Sequence, residues 1–192
     1  MNVEMNKEAR LDCTRLSPHF TLGELTKTSV KGVDNTPNHA AVLNLKRLCV
    51  SWLEPLRAEY NRKYGEGFAL GSGPSRMVPP PTGTRPHCES LGTRPQQSSL
   101  PIVINSGYRS EAVNRAIGGV KGSNHLTGCA VDIRVDGMEQ AIRYASILID
   151  ISNERKEDFD ELLIEGKGFG SLWLHFAVRP SGNRRKIRFI QT

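Results

Sequence analysis

The chain has 192 residues, 38% of them hydrophobic, with 26 Lys and Arg against 20 Asp and Glu. A chain of this length fits one domain around one core. The formal net charge of +6 would draw the protein toward polyanions such as nucleic acid or the anionic bacterial wall. We interpret the one concentrated basic run as a solvated surface; it comprises Arg184, Arg185, Lys186 and Arg188.

The cysteines and the first residues of the chain argue against further classes of protein. The 4 cysteines lie far apart and form no CxxC pair, which argues against a zinc ribbon and a dense disulfide framework. Residues 1–16 contain no apolar segment typical of a signal peptide, and no stretch is apolar enough to span a membrane. We therefore expect a monomer that stays cytoplasmic until it is released.

Two helices are predicted in the first third of the chain. Thr21 with Glu24 three residues on is typical of a capping box at a helix start. A longer helix is expected from Thr36, with Pro37 in its first turn, to about Tyr60. Its apolar residues recur at helical spacing: Val42, Leu45, Cys49, Trp52 and Leu56.

Residues 65–101 are rich in Gly, Pro, Ser and Thr. A loop of this length is unusual inside a compact domain, so it is either a functional flap or disordered. We expect a disordered insertion within a single domain of residues 1–192. His87 and Cys88 lie in this segment, and we do not expect them to bind metal.

The rest of the chain alternates short strands with helices. The predicted elements are a strand at 102–104, a helix at 111–117 capped by Ser110, a strand at 129–135, a helix opened by Asp136 with Glu139, and strands at 159–165 and 172–178. Helices come first and antiparallel strands later. The fold class is therefore α+β, a small antiparallel sheet flanked by helices.

Two of these strands present a polar side chain on the face away from their apolar residues. Because side chains alternate along a strand, Asp132 and His175 each lie opposite the hydrophobic stripe of their strand. His125 lies in the loop that leads into the first of these strands and can fold back over it. Two imidazoles and one carboxylate are a common catalytic zinc set, which leaves a position for water. Spacing alone leaves open that both histidines are simply hydrogen-bonded side chains.

Four segments occur in an order that matches a known family: SGYRS (106–110), VNRAIGG (113–119), SNHLTGCAVDI (123–133) and WLH (173–175). They resemble the M15 peptidases, the zinc D-Ala-D-Ala carboxypeptidases and L-alanyl-D-glutamate endopeptidases. The pattern S-x-H-x-x-G-x-A-x-D is present in full from Ser123 to Asp132. The segments LSPHFTLGELTKTS and NLKRLCVSWLEPLR are similar to the small single-domain branch found in phages and mobile elements. The fold that the resemblance implies is the one shared with the Hedgehog signalling domain.

The resemblance also implies roles for individual residues. The metal ligands, for one Zn²⁺ per chain, would be His125, Asp132 and His175. Arg109 matches an arginine near the scissile carbonyl or the substrate carboxylate, and a surface salt bridge is the alternative. Trp173 would wall the cleft or pack half-buried, and Ser123 would touch substrate or orient the neighbouring histidine.

The general base is less directly matched. Many relatives carry an acid three residues before the last histidine, where this chain has Leu172, which cannot transfer a proton. The branch that the chain resembles has a glutamate matching Glu165, which shares a strand face with Glu161 and could take a proton from water. Asp160 matches another acidic position, so two acids remain, of which we favour Glu165.

The activity that the resemblance implies is zinc-dependent hydrolysis of amide bonds in peptidoglycan stem peptides. Such an endolysin-like enzyme would act on the bacterial wall as a D,D-carboxypeptidase or an L-Ala-D-Glu-type endopeptidase. The alternative is a catalytically inactive, metal-stabilised wall-binding module, to which Leu172 gives some weight. Nucleic-acid binding is not expected, since the chain has no helix-turn-helix or aromatic-basic surface motif.

Overall fold

The computed structural model describes residues 14–65, 99–168 and 170–191. Its helices are α1 (Leu22–Thr26), α2 (His39–Leu48), α3 (Glu54–Tyr64), α4 (Glu111–Ala116) and α5 (Met138–Arg155). Among these residues no helix has both the length and the apolar character needed to cross a membrane. His87, Cys88 and nearly all of the predicted insertion lie outside the described residues.

Side-chain caps fix where the first two helices begin. The Thr21 hydroxyl accepts a hydrogen bond from the third residue of the predicted capping box, as expected for the start of α1. Helix α2 begins at His39 rather than at Thr36. Asn38 is its cap, because the Asn38 amide oxygen accepts the backbone N–H of Ala41 at 2.8 Å.

Helix α5 begins later than its predicted cap. Gly137 precedes its first residue and offers no side-chain cap. Gln140 reaches back instead, and its amide oxygen accepts the backbone N–H of Asp136 at 2.7 Å. The predicted pairing of Asp136 with Glu139 is therefore wrong, since glutamine occupies the reciprocal role one position further on.

A π-helical turn, Cys49–Leu53, joins α2 to α3 into one long continuous helical segment. The backbone N–H of Glu54 donates to the carbonyl of Cys49, five residues earlier, which is the hydrogen-bond spacing of a π-helix. Pro55 has no N–H to donate to the carbonyl of Ser51 four residues earlier. The guanidinium of Arg155 donates to that carbonyl instead, which ties the last turn of α5 to the π-helical turn.

The sheet has five strands in the order β1-β2-β4-β3-β5. Their bounds are Ile104–Ser106, Ala130–Arg134, Glu161–Lys167, Ser171–Ala177 and Lys186–Gln191, numbered β1 to β5 along the chain. Pairs β1–β2, β2–β4 and β3–β4 are antiparallel, whereas β3–β5 is parallel. Helices with this mixed sheet confirm the α+β class.

Strand β5 corrects two sequence-based expectations. The sheet is not wholly antiparallel, because β5 adds a parallel strand at its edge. The basic run is not simply a solvated surface either. Arg184 forms ion pairs with Asp160 and Glu161, and Lys186 pairs with Glu161. A local run of charge carries no information about such distant partners.

One face of the sheet packs on the main hydrophobic core. Trp52 is fully buried, and its ring centroid lies 5.2 Å from that of Phe176 on β4 and 6.4 Å from that of Phe159. His175 neighbours Phe176 in sequence and therefore projects from the opposite face. The sheet thus separates the core from the face that carries the polar residues.

The described residues on the two sides of segment 66–98 both lie against α3. Asn61 accepts the backbone N–H of Leu100 at 2.6 Å and donates to the Leu100 carbonyl at 2.9 Å. Arg57 donates to the hydroxyl of Ser99 at 2.6 Å. Because Gly65 lies one turn beyond Asn61 on the same helix, the chain leaves and rejoins the fold at neighbouring points.

Replacing residues 67–97 with a short Gly-Ser linker should therefore leave the fold intact. Each halving of a loop changes its closure free energy by only about 0.6 kcal/mol. We expect the melting temperature, followed by circular dichroism, to move by less than about 5 °C. Asn61→Ala in the full chain is the comparison, with an expected loss of about 1–2 kcal/mol for its two hydrogen bonds with Leu100. A shortened chain without a cooperative transition would contradict the prediction.

Candidate functional site

The pairing of β2 with β4 creates the centre of the candidate site. Asp132 lies directly opposite His175 in this antiparallel pair, so both side chains project from the same face. The Asp132 Oδ1 and His175 Nδ1 atoms are 2.9 Å apart. The structure therefore brings together the two strand residues that the sequence placed on this face.

His125 reaches the pair from a short 3₁₀ turn, Asn124–Thr127. The Ser123 hydroxyl caps this turn by accepting the backbone N–H of His125 at 3.3 Å. Gly128 ends the turn with φ +69°, and a β-carbon there would lie 2.5 Å from the backbone oxygen of Ala41. Glycine is thus required both for the left-handed conformation and for the close approach to α2.

The three side chains converge on one point. Nε2 of His125 lies 3.3 Å from Nδ1 of His175 and 3.3 Å from Oδ1 of Asp132. Ligands at 2.0–2.1 Å around a tetrahedral zinc ion are about 3.3–3.4 Å apart. Two edges of the triangle match this spacing and the third is shorter, so the donor set fits a small divalent metal. All three residues are buried.

The backbone around Gly107 sets the tautomer of His125. Nδ1 of His125 lies 2.5 Å from the carbonyl oxygen of Gly107, which can only accept, so Nδ1 carries the proton and Nε2 keeps its lone pair for a metal. A β-carbon on Gly107 would lie 2.3 Å from the backbone oxygen of Leu25. The close packing of Gly107 on α1 thus orients the histidine.

Arg109 contacts the metal-competent carboxylate directly. One of its terminal nitrogens donates to Oδ2 of Asp132, and its Nε donates to the hydroxyl of Ser106 at 2.8 Å. The salt bridge is largely buried, unlike the surface pair considered from the sequence. Arg109 lines the cleft and fixes the Asp132 carboxylate with Oδ1 toward the two histidines.

The charged groups at the centre of the site shift the pKa values of Asp132 and His175. Burial alone would raise the pKa of Asp132, but the charges of and hydrogen bonds with His125 and His175 hold that pKa well below its usual value. Burial lowers the pKa of His175, but the hydrogen bonds to Asp132 and Glu161 outweigh it and raise that pKa to about 9. The carboxylate is therefore ionised and ready to bind a cation.

Two acidic residues of β3 line the same cleft. Glu161 Oε2 lies 3.5 Å from Nε2 of His175, and Glu161 also pairs with Lys186 and Arg184. Glu165 projects from the same face, and among the described residues it forms no ion pair or side-chain hydrogen bond. Its negative charge nevertheless contributes to the raised pKa of His175.

The remaining predicted positions divide between the two faces of the sheet. Ser123 and Trp173 line the cleft, and Trp173 is half-buried. Leu172 packs against the hydrophobic core, so a side chain at this position of the strand faces away from the cleft.

Asp160 lies at the centre of a buried network beside the cleft. Its side chain is fully buried and accepts hydrogen bonds from Asn124 at 2.8 Å and from two nitrogens of Arg184, both at 2.8 Å. Arg179 Nε lies 3.0 Å from Oδ2 of Asp160. Burial would raise the pKa of Asp160, but these hydrogen bonds and charges hold it below its usual value.

Sequence reasoning missed this network and the partners that orient the central residues. The residues concerned are Gly107, Arg179, Arg184 and Lys186. Alternation along the last strands could have indicated Arg179, which lies two and four residues beyond Ala177 and His175. No local sequence pattern indicated the contacts of Asp160 with Arg184.

Comparison with protein family models finds a match over part of the chain. Residues 76–159 match the family model described as Peptidase M15. This match supports an M15 family peptidase. This confirms the resemblance inferred from the sequence. A comparison with curated proteins finds no match.

The matched range covers only part of the candidate site. It contains Arg109, His125 and Asp132, and it begins inside the segment that composition marks as an insertion. It ends before Glu161, Glu165 and His175, which join the site through strand pairing. The match supports a hydrolase of the metallopeptidase class.

Asp160→Asn should lower the thermal stability of the protein in a pH-dependent way. The lowered pKa of Asp160 means that its stabilising contribution is present above the ordinary aspartate pKa of about 3.9 and is lost as the pH falls through the folded-state pKa. At pH 7 we expect a loss of about 2 kcal/mol, or roughly 5 °C in melting temperature.

Thermal melts of both proteins between pH 3 and pH 7, on the order of one pH unit apart, test this prediction. The difference between the two melting temperatures should shrink below about pH 4. A difference that stays constant over the whole range would show that the charge of Asp160 does not stabilise the fold.

Proposed function

We propose that this M15 peptidase uses one zinc ion per chain to hydrolyse amide bonds in peptidoglycan stem peptides. The observation that carries the proposal is the triangle formed by His125, Asp132 and His175, two of whose edges match the spacing of ligands around tetrahedral zinc. Two imidazole nitrogens and one carboxylate leave a coordination position open, as in catalytic rather than structural zinc sites. The net charge of +6 suits an anionic wall.

Zinc bound there would supply Lewis acidity to the attacking water and to the scissile carbonyl oxygen. The protein's part is to hold the ligands in position. Gly107 orients His125 through its carbonyl, Arg109 orients Asp132, and Glu161 lies against the outer nitrogen of His175. Such outer partners fix the tautomer and direction of each ligand.

We infer that Glu165 is the general base. The rival acid Asp160 is fully buried and already accepts hydrogen bonds from Asn124 and Arg184. Glu161 is neutralised by Lys186 and Arg184. Glu165 lines the cleft without such partners among the described residues, so its carboxylate is available to accept a proton from the attacking water.

The proton then follows a balanced path. Glu165 takes one proton from the attacking water as the new C–O bond forms. It delivers that proton to the amide nitrogen as the C–N bond breaks, which releases an amine and a carboxylic acid. The remaining proton of the acid then passes to the amine or to solvent, which leaves a carboxylate. Trp173 forms part of the cleft wall.

Glu165→Gln should separate metal binding from catalysis. Glutamine preserves the shape of the side chain but cannot accept the proton, so we expect cleavage to fall by 10²–10⁴-fold, on the order of a typical general-base contribution. Zinc content should stay near one per chain. Asp132→Ala should lose both zinc and activity, because it removes one of the three ligands.

Defined muropeptides with mass-spectrometric product analysis, together with elemental analysis of zinc, provide the measurement. Glu154→Gln is the matched control, since Glu154 is exposed on α5. Full activity of Glu165→Gln would contradict the assignment of the base. A wild-type protein that binds zinc and wall fragments but yields no product would instead indicate a wall-binding module.

A further inference from the structure

One wall of the cleft is built from cations that follow the matched family range. Arg179, Arg184 and Lys186 all line it, together with the carboxylate of Glu161. Two of these cations already donate hydrogen bonds to carboxylates. Arg184 donates to Asp160 and Glu161, and Lys186 donates to Glu161 at 2.9 Å.

Arg179 is held differently, by one edge of its guanidinium only. Its Nε donates to the amide oxygen of Asn124 at 3.1 Å and lies 3.0 Å from Asp160 Oδ2. Asn124 is itself fixed, because its amide nitrogen donates to Asp160 at 2.8 Å. The inner edge of Arg179 is therefore anchored to a buried pair of side chains.

The outer nitrogens of Arg179 remain available. Within residues 14–65, 99–168 and 170–191, neither Nη1 nor Nη2 donates a hydrogen bond. The side chain is 34% exposed, so these nitrogens are accessible from the cleft. An anchored guanidinium with two free nitrogens has the geometry that binds a carboxylate through two parallel hydrogen bonds.

The charge balance of this wall also favours an anion. Three cations, Arg179, Arg184 and Lys186, face two carboxylates, those of Asp160 and Glu161, which leaves one positive charge uncompensated. Arg109 is not available for this task, because it is bonded to Asp132 and Ser106. Arg179 is next to Asn124, whose neighbour in sequence is His125, so the free nitrogens lie near the metal-competent centre.

We propose that Arg179 binds a substrate carboxylate close to the scissile amide and makes the enzyme selective for peptides that carry one. The inference rests on the proposed peptidase function and adds a specificity-determining residue to it. In stem peptides, such a carboxylate has two sources: the free C-terminus, or the α-carboxylate of a γ-linked glutamate. Both present the same planar anion to the guanidinium.

Paired substrates that differ only in this carboxylate test the proposal. The first pair is a stem peptide with a free C-terminus and its C-terminal amide, and the second is a γ-linked glutamate peptide and its α-amide. For one pair, the zinc-loaded wild type should prefer the acid in kcat/KM by on the order of 10–100-fold. The preferred pair identifies the source of the carboxylate.

Arg179→Ala should reduce that preference at least about tenfold, and Arg179→Lys should retain part of it, because lysine keeps the charge but loses the fork. Arg188→Ala is the matched control, an exposed arginine on β5 that does not line the cleft. It should keep the wild-type preference. Melting curves exclude unfolding of each variant.

Binding to the zinc-loaded Glu165→Gln variant separates this inference from the proposed function. Tighter calorimetric binding of the acid than of the amide, abolished by adding Arg179→Ala, supports the subsite even if the wild type cleaves nothing. Equal binding and equal cleavage of acid and amide overturns the subsite while the peptidase function stands. An unchanged acid preference in Arg179→Ala also overturns it.

Discussion

The register between β2 and β4 is the constraint on which the site depends. It places Asp132 opposite His175 and directs both toward the face away from Trp52 and Phe176. A shift of either strand by one residue would turn its own site residue, Asp132 or His175, toward the core. Hydrophobic packing of Phe176 on one face therefore fixes the geometry of His175 on the other, and the stability of the core is coupled to the position of the metal-competent atoms.

The second organising element is Asp160, which links three separate parts of the chain. It binds Asn124 beside His125, Arg184 before β5, and Arg179 after β4. Removing this buried carboxylate takes away the carboxylate partner of Arg179 and leaves Arg184 with Glu161 alone, and breaking a buried salt bridge by removing one partner is strongly destabilising. The C-terminal strand is thereby joined to the cleft, and its cations determine the charge that a substrate meets.

Local patterns in the sequence predicted much of this arrangement. Alternation along two strands placed Asp132 and His175 on one face, and the segment around His125 indicated the family. The parallel pairing of β5 with β3 was not predictable in this way, because it depends on contacts such as those of Arg184 with Asp160, distant in sequence. The hydrogen bond from Arg155 to the Ser51 carbonyl in the π-helical turn was likewise not predictable, because the two residues lie far apart in the sequence.

The central claim is that His125, Asp132 and His175 hold one divalent metal. Crystals grown with zinc and measured on both sides of the zinc absorption edge would test it most directly. The account predicts one anomalous peak per chain, about 2.0–2.2 Å from Nε2 of His125, Nδ1 of His175 and an oxygen of Asp132. Zinc elsewhere on the chain, with no peak between these three residues at saturating metal, would contradict it.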